Sequence, residues 1–101
     1  MGENDNIPQM TPSFENICRK DENGNEYWSS RDLCGAMGYS AYWKFQRVID
    51  KAIKVAGEKG MNVDEHFNQA VDMVKIGNGS FRKVNIFRLS RMACMIIAEN
   101  A

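Results

Sequence analysis

Residues 27–49 read YWSSRDLCGAMGYSAYWKFQRVI, a stretch with two helix starts, one helix stop and most of the chain's bulky aromatics. Ser29 or Ser30 can cap a short helix, because a serine oxygen accepts from the free N–H groups of the first turn. Asp32 then sits where a carboxylate favours the positive helix end. Gly38 follows Ala36-Met37 where a left-handed residue closes that helix, and Tyr39-Ser40 supplies a turn and a second cap. A longer helix is expected from there over residues 41–56. The spacing therefore predicts helix, tight turn, helix.

At about 100° of rotation per residue, the second helix separates its apolar from its charged side chains. Phe45, Val48, Ile49, Ala52, Ile53 and Ala56 share one side, and Lys44, Arg47, Lys51 and Lys54 form a stripe at the other edge. Only Val55 breaks the pattern. Such a helix packs by one face and shows water a row of cations.

Working outward, 101 residues suffice for one domain with one core. The composition, 44% hydrophobic and 26% charged, is that of an ordinary globular protein. Net charge is zero but uneven. Residues 1–40 hold three Lys/Arg against seven Asp/Glu, and residues 41–101 hold ten against six, so the halves carry −4 and +4. A basic second half suits a polyanionic partner. Cys18, Cys34 and Cys94 are scattered, with His66 as the only histidine, and no zinc spacing can be assembled from them. Scattered thiols of odd number point to a reducing compartment. The longest apolar run, residues 92–98, is too short to span a membrane. The expected location is cytoplasmic, with no membrane contact.

Residues 1–13 are polar, hold both prolines and show no periodicity, and read as a mobile leader. Residues 14–20 form either one helical turn or a short strand. Asn23-Gly24 marks a turn, and Glu26-Tyr27-Trp28 a returning strand, which together make a short amino-terminal hairpin. Trp28 and Phe45 are expected in the core, Tyr42 and Trp43 at the surface. Gly57-Glu58-Lys59-Gly60 ends the long helix, and Asp64 is expected to cap a short helix reaching Asn68 or Ala70, with Val63 and Phe67 as a hydrophobic staple. Gly77-Asn78-Gly79-Ser80 between residues 71–76 and 81–87 is a strong hairpin signal. Alternation puts Val74, Ile76, Val84 and Ile86 on its inner face with Asp72 and Arg82 toward the ends. Lys75, Lys83, Met73, Asn85, Phe81 and Phe87 share the outer face. Ser90 caps a last helix, apolar on every side, that is central to the core or to a homodimer contact. The chain stops at Ala101 with that helix in progress, which favours truncation. The fold class is α+β: a small single domain with a helix-turn-helix-like pair, two hairpins and a buried carboxy-terminal helix.

These parts match a winged helix-turn-helix reader of DNA, in which first-turn residues of the second helix face base edges while cations on helix and wing contact phosphate. That places Ser40, Tyr42, Trp43, Lys44 and Arg47 nearest the bases, and Lys51, Lys54, Lys75, Arg82, Lys83, Arg88 and Arg91 toward the backbone. The competing reading is a solvated helix face and strand face. Aromatics beside cations also suit a stacking platform for single-stranded nucleic acid.

The blocks WSSRDLCGAMGYSAYWKF, DMVKIGNGSFRKV and LSRMACMIIAEN resemble the DNA-damage-inducible protein D (DinD) family and, more distantly, the Bro-N domain of phage antirepressors and baculovirus proteins. Trp28-Ser29, Arg31, Leu33, Gly38-Tyr39-Ser40, Tyr42 and Phe45 carry the first block, and residues 72–77 the second. Leu89-Ser90-Arg91, Ala93-Cys94 and Asn100 carry the third. Met92 stands where the family has tyrosine, and Met95 where it often has an aromatic. The resemblance implies that residues 14–101 are a Bro-N-like domain truncated from a longer bacterial or prophage protein of the SOS damage response. It also implies a nucleoid-associated DNA-binding regulatory role, on single- or double-stranded DNA. The alternative is a protein-interaction module acting on the recombinase filament or another partner. No enzymatic site, metal or cofactor is expected.

Overall fold

The structure, a computed structural model, describes residues 12–101. The leader expected over residues 1–13 lies outside them except for its last two residues, which open the first helix. The element order is α1 (Pro12–Asn16), β1 (Arg19–Lys20), β2 (Glu26–Ser29), α2 (Ser30–Ala36), α3 (Tyr42–Glu58), α4 (Val63–His66), β3 (Phe67–Lys75), β4 (Phe81–Leu89) and α5 (Arg91–Asn100). The α+β class holds, and residues 14–20 contain both a helical turn and a short strand.

Two antiparallel hairpins join into one four-stranded sheet of order β1-β2-β4-β3, with Trp28 opposite Leu89 and Ser29 opposite Arg88 at the seam. The Asp21 carboxylate shapes the first turn by accepting from the Asn25 and Asn23 amides, which hold its pKa below the usual range. In the second hairpin Asn78 Oδ1 accepts from the Ser80 amide, and Gly79 takes the positive φ of 87° that the turn requires.

The helix pair forms as the sequence predicts. Ser29 caps α2 by accepting from the Arg31 amide, and Gly38, at φ 82°, turns the chain toward α3. The second cap differs: Ala41, not Ser40, occupies the N-cap of α3, with no side-chain bond to the first turn. Backbone closes the gap, since the Lys44 amide donates to the Ala41 carbonyl. Phe45, Ile49, Ala52 and Ala56 are buried, with Val48 and Ile53 half-buried beside them. Against them pack Ala93, Cys94, Ile96 and Ile97 of α5 and Phe67 and Leu89 of the sheet. The α5 cap is as expected, Ser90 accepting from the Ala93 amide. Phe14 of α1 stacks on Trp28, centroids 4.5 Å apart, and the Trp28 indole N–H donates to the Phe14 carbonyl.

Three expectations are corrected. Asn62 rather than Asp64 caps the short helix α4, which ends at His66; residues 67–70 are strand, so no Val63–Phe67 staple forms within a helix. The reason lies in partners: Phe67, Asn68, Gln69 and Ala70 each find a place opposite β4, from Leu89 to Ile86. His66 itself is tied to the start of α5, its Nδ1 lying 2.7 Å from Ser90 Oγ. Ile76, expected on the inner face, falls past the end of β3 and is exposed, while Val74 keeps that face and the register sets Asp72 opposite Val84 and Ala70 opposite Ile86. The partition into faces survives, because directly paired residues share a face.

Candidate nucleic-acid interface

Because the apolar stripe of α3 is fixed in the core, its opposite side is fixed outward. Lys44, Arg47, Lys51 and Lys54 are all exposed, and none is in an ion pair among the described residues. Four cations at a spacing of three or four residues lie along one helix face. Trp43 borders them, 61% exposed, with the Lys44 ammonium 5.7 Å from its ring centroid. Ser40 is exposed in the turn before the helix.

Tyr42, expected at the surface, is half-buried. Its hydroxyl lies 2.7 Å from the buried Ser30 hydroxyl, the Arg31 guanidinium sits 4.3 Å over its ring, and burial pushes its pKa up. Tyr42 thus anchors the start of α3 to α2 and keeps only part of its ring for a ligand. Arg31 Nε is buried without a hydrogen bond among the described residues, leaving the stack on Tyr42 as the contact that holds this guanidinium.

The hairpin supplies the second part of the surface. Register places Gln69, Val71, Met73 and Lys75 on one face with Phe81, Lys83, Asn85 and Phe87. That face holds no carboxylate. Near the base of the hairpin it turns into the core through Phe67 and Leu89; toward the tip it is open, with Val71, Met73 and Phe81 more than half exposed. Lys75 and Lys83 stand exposed among them, and Arg82 is exposed on the opposite face. Where the hairpin meets α3 there is a cleft lined by Tyr42, Gln46, Gln69, Ala70, Asn85, Ile86 and Phe87. Its amides were missed in the sequence, since uncharged side chains on three separate elements give no joint signal.

Two of the expected phosphate contacts are engaged within the protein. Arg88 is half-buried, 4.7 Å over the Tyr27 ring. Arg91 donates to both oxygens of Glu15 and both of Glu26, at 2.8–3.1 Å, and lies 4.9 Å over Trp28. These bonds raise its pKa further above the ordinary arginine value and hold the Glu15 carboxyl below the usual carboxylate range. Arg19 is similarly tied to Asp32 and Asp72. The expected cations left open are therefore Lys44, Arg47, Lys51 and Lys54 along one face of α3, Lys75 and Lys83 on one face of the hairpin, and Arg82 on its other face. Cys34 and Cys94 are buried and Cys18 half-buried, and burial pushes all three thiols up. Among the described residues no group of His, Cys, Asp and Glu is arranged to hold a metal ion, and no helix is long and apolar enough to cross a membrane.

Over 87 residues the chain is 39% identical to DNA damage-inducible protein D of Escherichia coli (strain K12), a match covering 86% of this chain and 32% of that protein. The chain thus spans about a third of the length of the relative it matches. No protein-family model matches it, and no solved structure matches it significantly. The similarity to DNA damage-inducible protein D is thus carried over most of this chain.

Proposed function

We propose that this is a DNA-binding regulatory domain of a DNA-damage-response protein. The observation that carries the reading is the row of Lys44, Arg47, Lys51 and Lys54, exposed on α3 and without acidic partners among the described residues. A row of cations with no ion-pair partner suits a polyanion, which rewards it by release of condensed counterions. The first turn of α3, with Ser40, Trp43 and the free part of the Tyr42 ring, faces the bases, and Lys75, Arg82 and Lys83 extend the phosphate contacts. The similarity to a protein named for induction by DNA damage supports the damage-response setting.

Fluorescence anisotropy of labelled DNA at two salt concentrations tests the reading. Affinity is expected to fall by roughly 10³-fold or more between about 50 and 200 mM salt if six or more phosphates are neutralised. Lys44→Glu with Arg47→Glu should abolish binding and leave thermal stability nearly unchanged, as both side chains are exposed. A folded double mutant that binds like wild type would rule the stripe out.

A second reading, a protein-interaction module on the recombinase filament or on a second copy of the chain, draws on α5. That helix commits Ala93, Cys94, Ile96 and Ile97 to the domain's own core but leaves Met92 49% exposed beside half-buried Met95. It predicts no salt-sensitive DNA binding, and an association with the protein partner that Met92→Glu abolishes.

A further inference from the structure

We propose that the cleft between α3 and the β3–β4 hairpin is a track for single-stranded DNA, with unpaired bases stacking on the rings of Trp43 and Phe81. The proposal rests on the DNA-binding reading and names the strand form that this site takes.

Three observations converge on it. First, the two aromatic rings left most open on the described surface are Trp43, 61% exposed, and Phe81, 59% exposed. Each has cations beside it. The Lys44 ammonium lies 5.7 Å from the Trp43 centroid, while Phe81 pairs across the hairpin with Lys75 and shares its face with Lys83. Second, the cleft is bordered by the elements that carry these rings. Its wall includes Tyr42, next to Trp43, and Asn85, which lies on the same face of β4 as Phe81 and about 13 Å along the strand. Third, Gln46, Gln69 and Asn85 line the cleft beside Tyr42 and no carboxylate does, so it offers three amides that can both donate and accept.

A duplex hides the flat faces of its bases and offers a protein its phosphates and groove edges. Two open rings and an apolar strip of Val71 and Met73 gain little from that surface. An unpaired strand offers what they fit: a base face for each ring, a base edge for the amides and a phosphate for each lysine. Gln46 donates to Asp50 in the free protein, an exposed bond that a base edge can replace.

The test uses tryptophan emission and direct binding on the 101-residue chain. Trp28 is fully buried, so a change of emission on adding oligonucleotide reports Trp43. A thymidine oligonucleotide should quench it, and bind more tightly than a blunt duplex of equal length. Trp43→Ala and Phe81→Ala should each weaken oligonucleotide binding by roughly 5- to 100-fold. Trp43→Phe and Phe81→Tyr should retain most of it. The salt dependence should stay as in wild type, since no cation is removed. Both rings are exposed, so unchanged melting is expected and confirms that the variants are folded. Preference for the duplex, binding without quenching, or alanine variants of unchanged affinity would each overturn the single-strand track while the DNA-binding domain stood. Absence of salt-sensitive binding to either DNA would remove both, and would leave the open apolar strip as a protein contact.

Discussion

The Ser30 hydroxyl, fully buried, lies 2.7 Å from that of Tyr42 and accepts a 3.0 Å bond from the Phe87 amide. One small polar group therefore joins α2, the first turn of α3 and β4, and fixes where the Trp43 end of α3 stands relative to the hairpin. Ser30→Ala removes the partner of a backbone N–H and of a phenol at once. The expected loss is about 1–3 kcal/mol in urea denaturation, the cost of leaving buried polar groups unsatisfied. Tyr42→Phe keeps the serine bonded to Phe87 and should cost about 1 kcal/mol. If Ser30→Ala unfolds like wild type, the three-element junction is not what orients α3. Nothing in the sequence announces this role: Ser29 and Ser30 read alike as helix caps, and only the tertiary fold brings Phe87, 57 residues on, to the second of them. Arg91 was opaque for the same reason. It reads as one more cation of a basic half, but its partners Glu15 and Glu26 stand 76 and 65 residues earlier.

Elements were far more legible than single contacts, and α3 most of all. Seventeen residues give nearly five turns over which the apolar phase repeats, so the buried set of Phe45, Ile49, Ala52 and Ala56 follows from spacing alone. The phase is testable by itself. Phe45 touches the tilted rings of Tyr39 and Tyr42 at 5.1 and 6.5 Å, and Phe45→Ala should cost about 3–5 kcal/mol while sparing the outward lysines. A melting curve like that of wild type would mean the helix is rotated from the phase drawn here. The second hairpin was legible from alternation around Gly77-Asn78-Gly79, which assigned its outer face to the right residues. Its length was not, because Asn68-Gln69 is polar and follows a helix start. Pairing with Arg88 and Phe87 of β4 outweighs the local preference there. The cleft was illegible at this scale too, since it exists only between elements.

Across the whole molecule, zero net charge conceals a division of labour. The acidic first half meets the basic second half chiefly through Arg91 with Glu15 and Glu26, while Arg19 joins Asp32 to Asp72. These pairs tie α1, β1, β2, α2, β3 and α5 together without drawing on the seven open cations of α3 and the hairpin. The slope of log affinity against log salt should therefore follow those seven and not the net charge. If all of them reach phosphate, the slope approaches about −6 on duplex and about −5 on a single strand. Lys51→Ala should reduce its magnitude by somewhat under one unit and leave stability alone. Arg91→Gln should do the reverse: it breaks the bonds to Glu15 and Glu26 and the stack on Trp28, so the melting temperature falls while the slope holds. The two variants remove the same formal charge, so only the placement of that charge can separate them. If Arg91→Gln lowers the slope as Lys51→Ala does, then Arg91 leaves its carboxylates for phosphate on binding. Glu15 would then lose its tie to α5 when DNA is engaged, while the Phe14 stack on Trp28 still holds the amino-terminal helix.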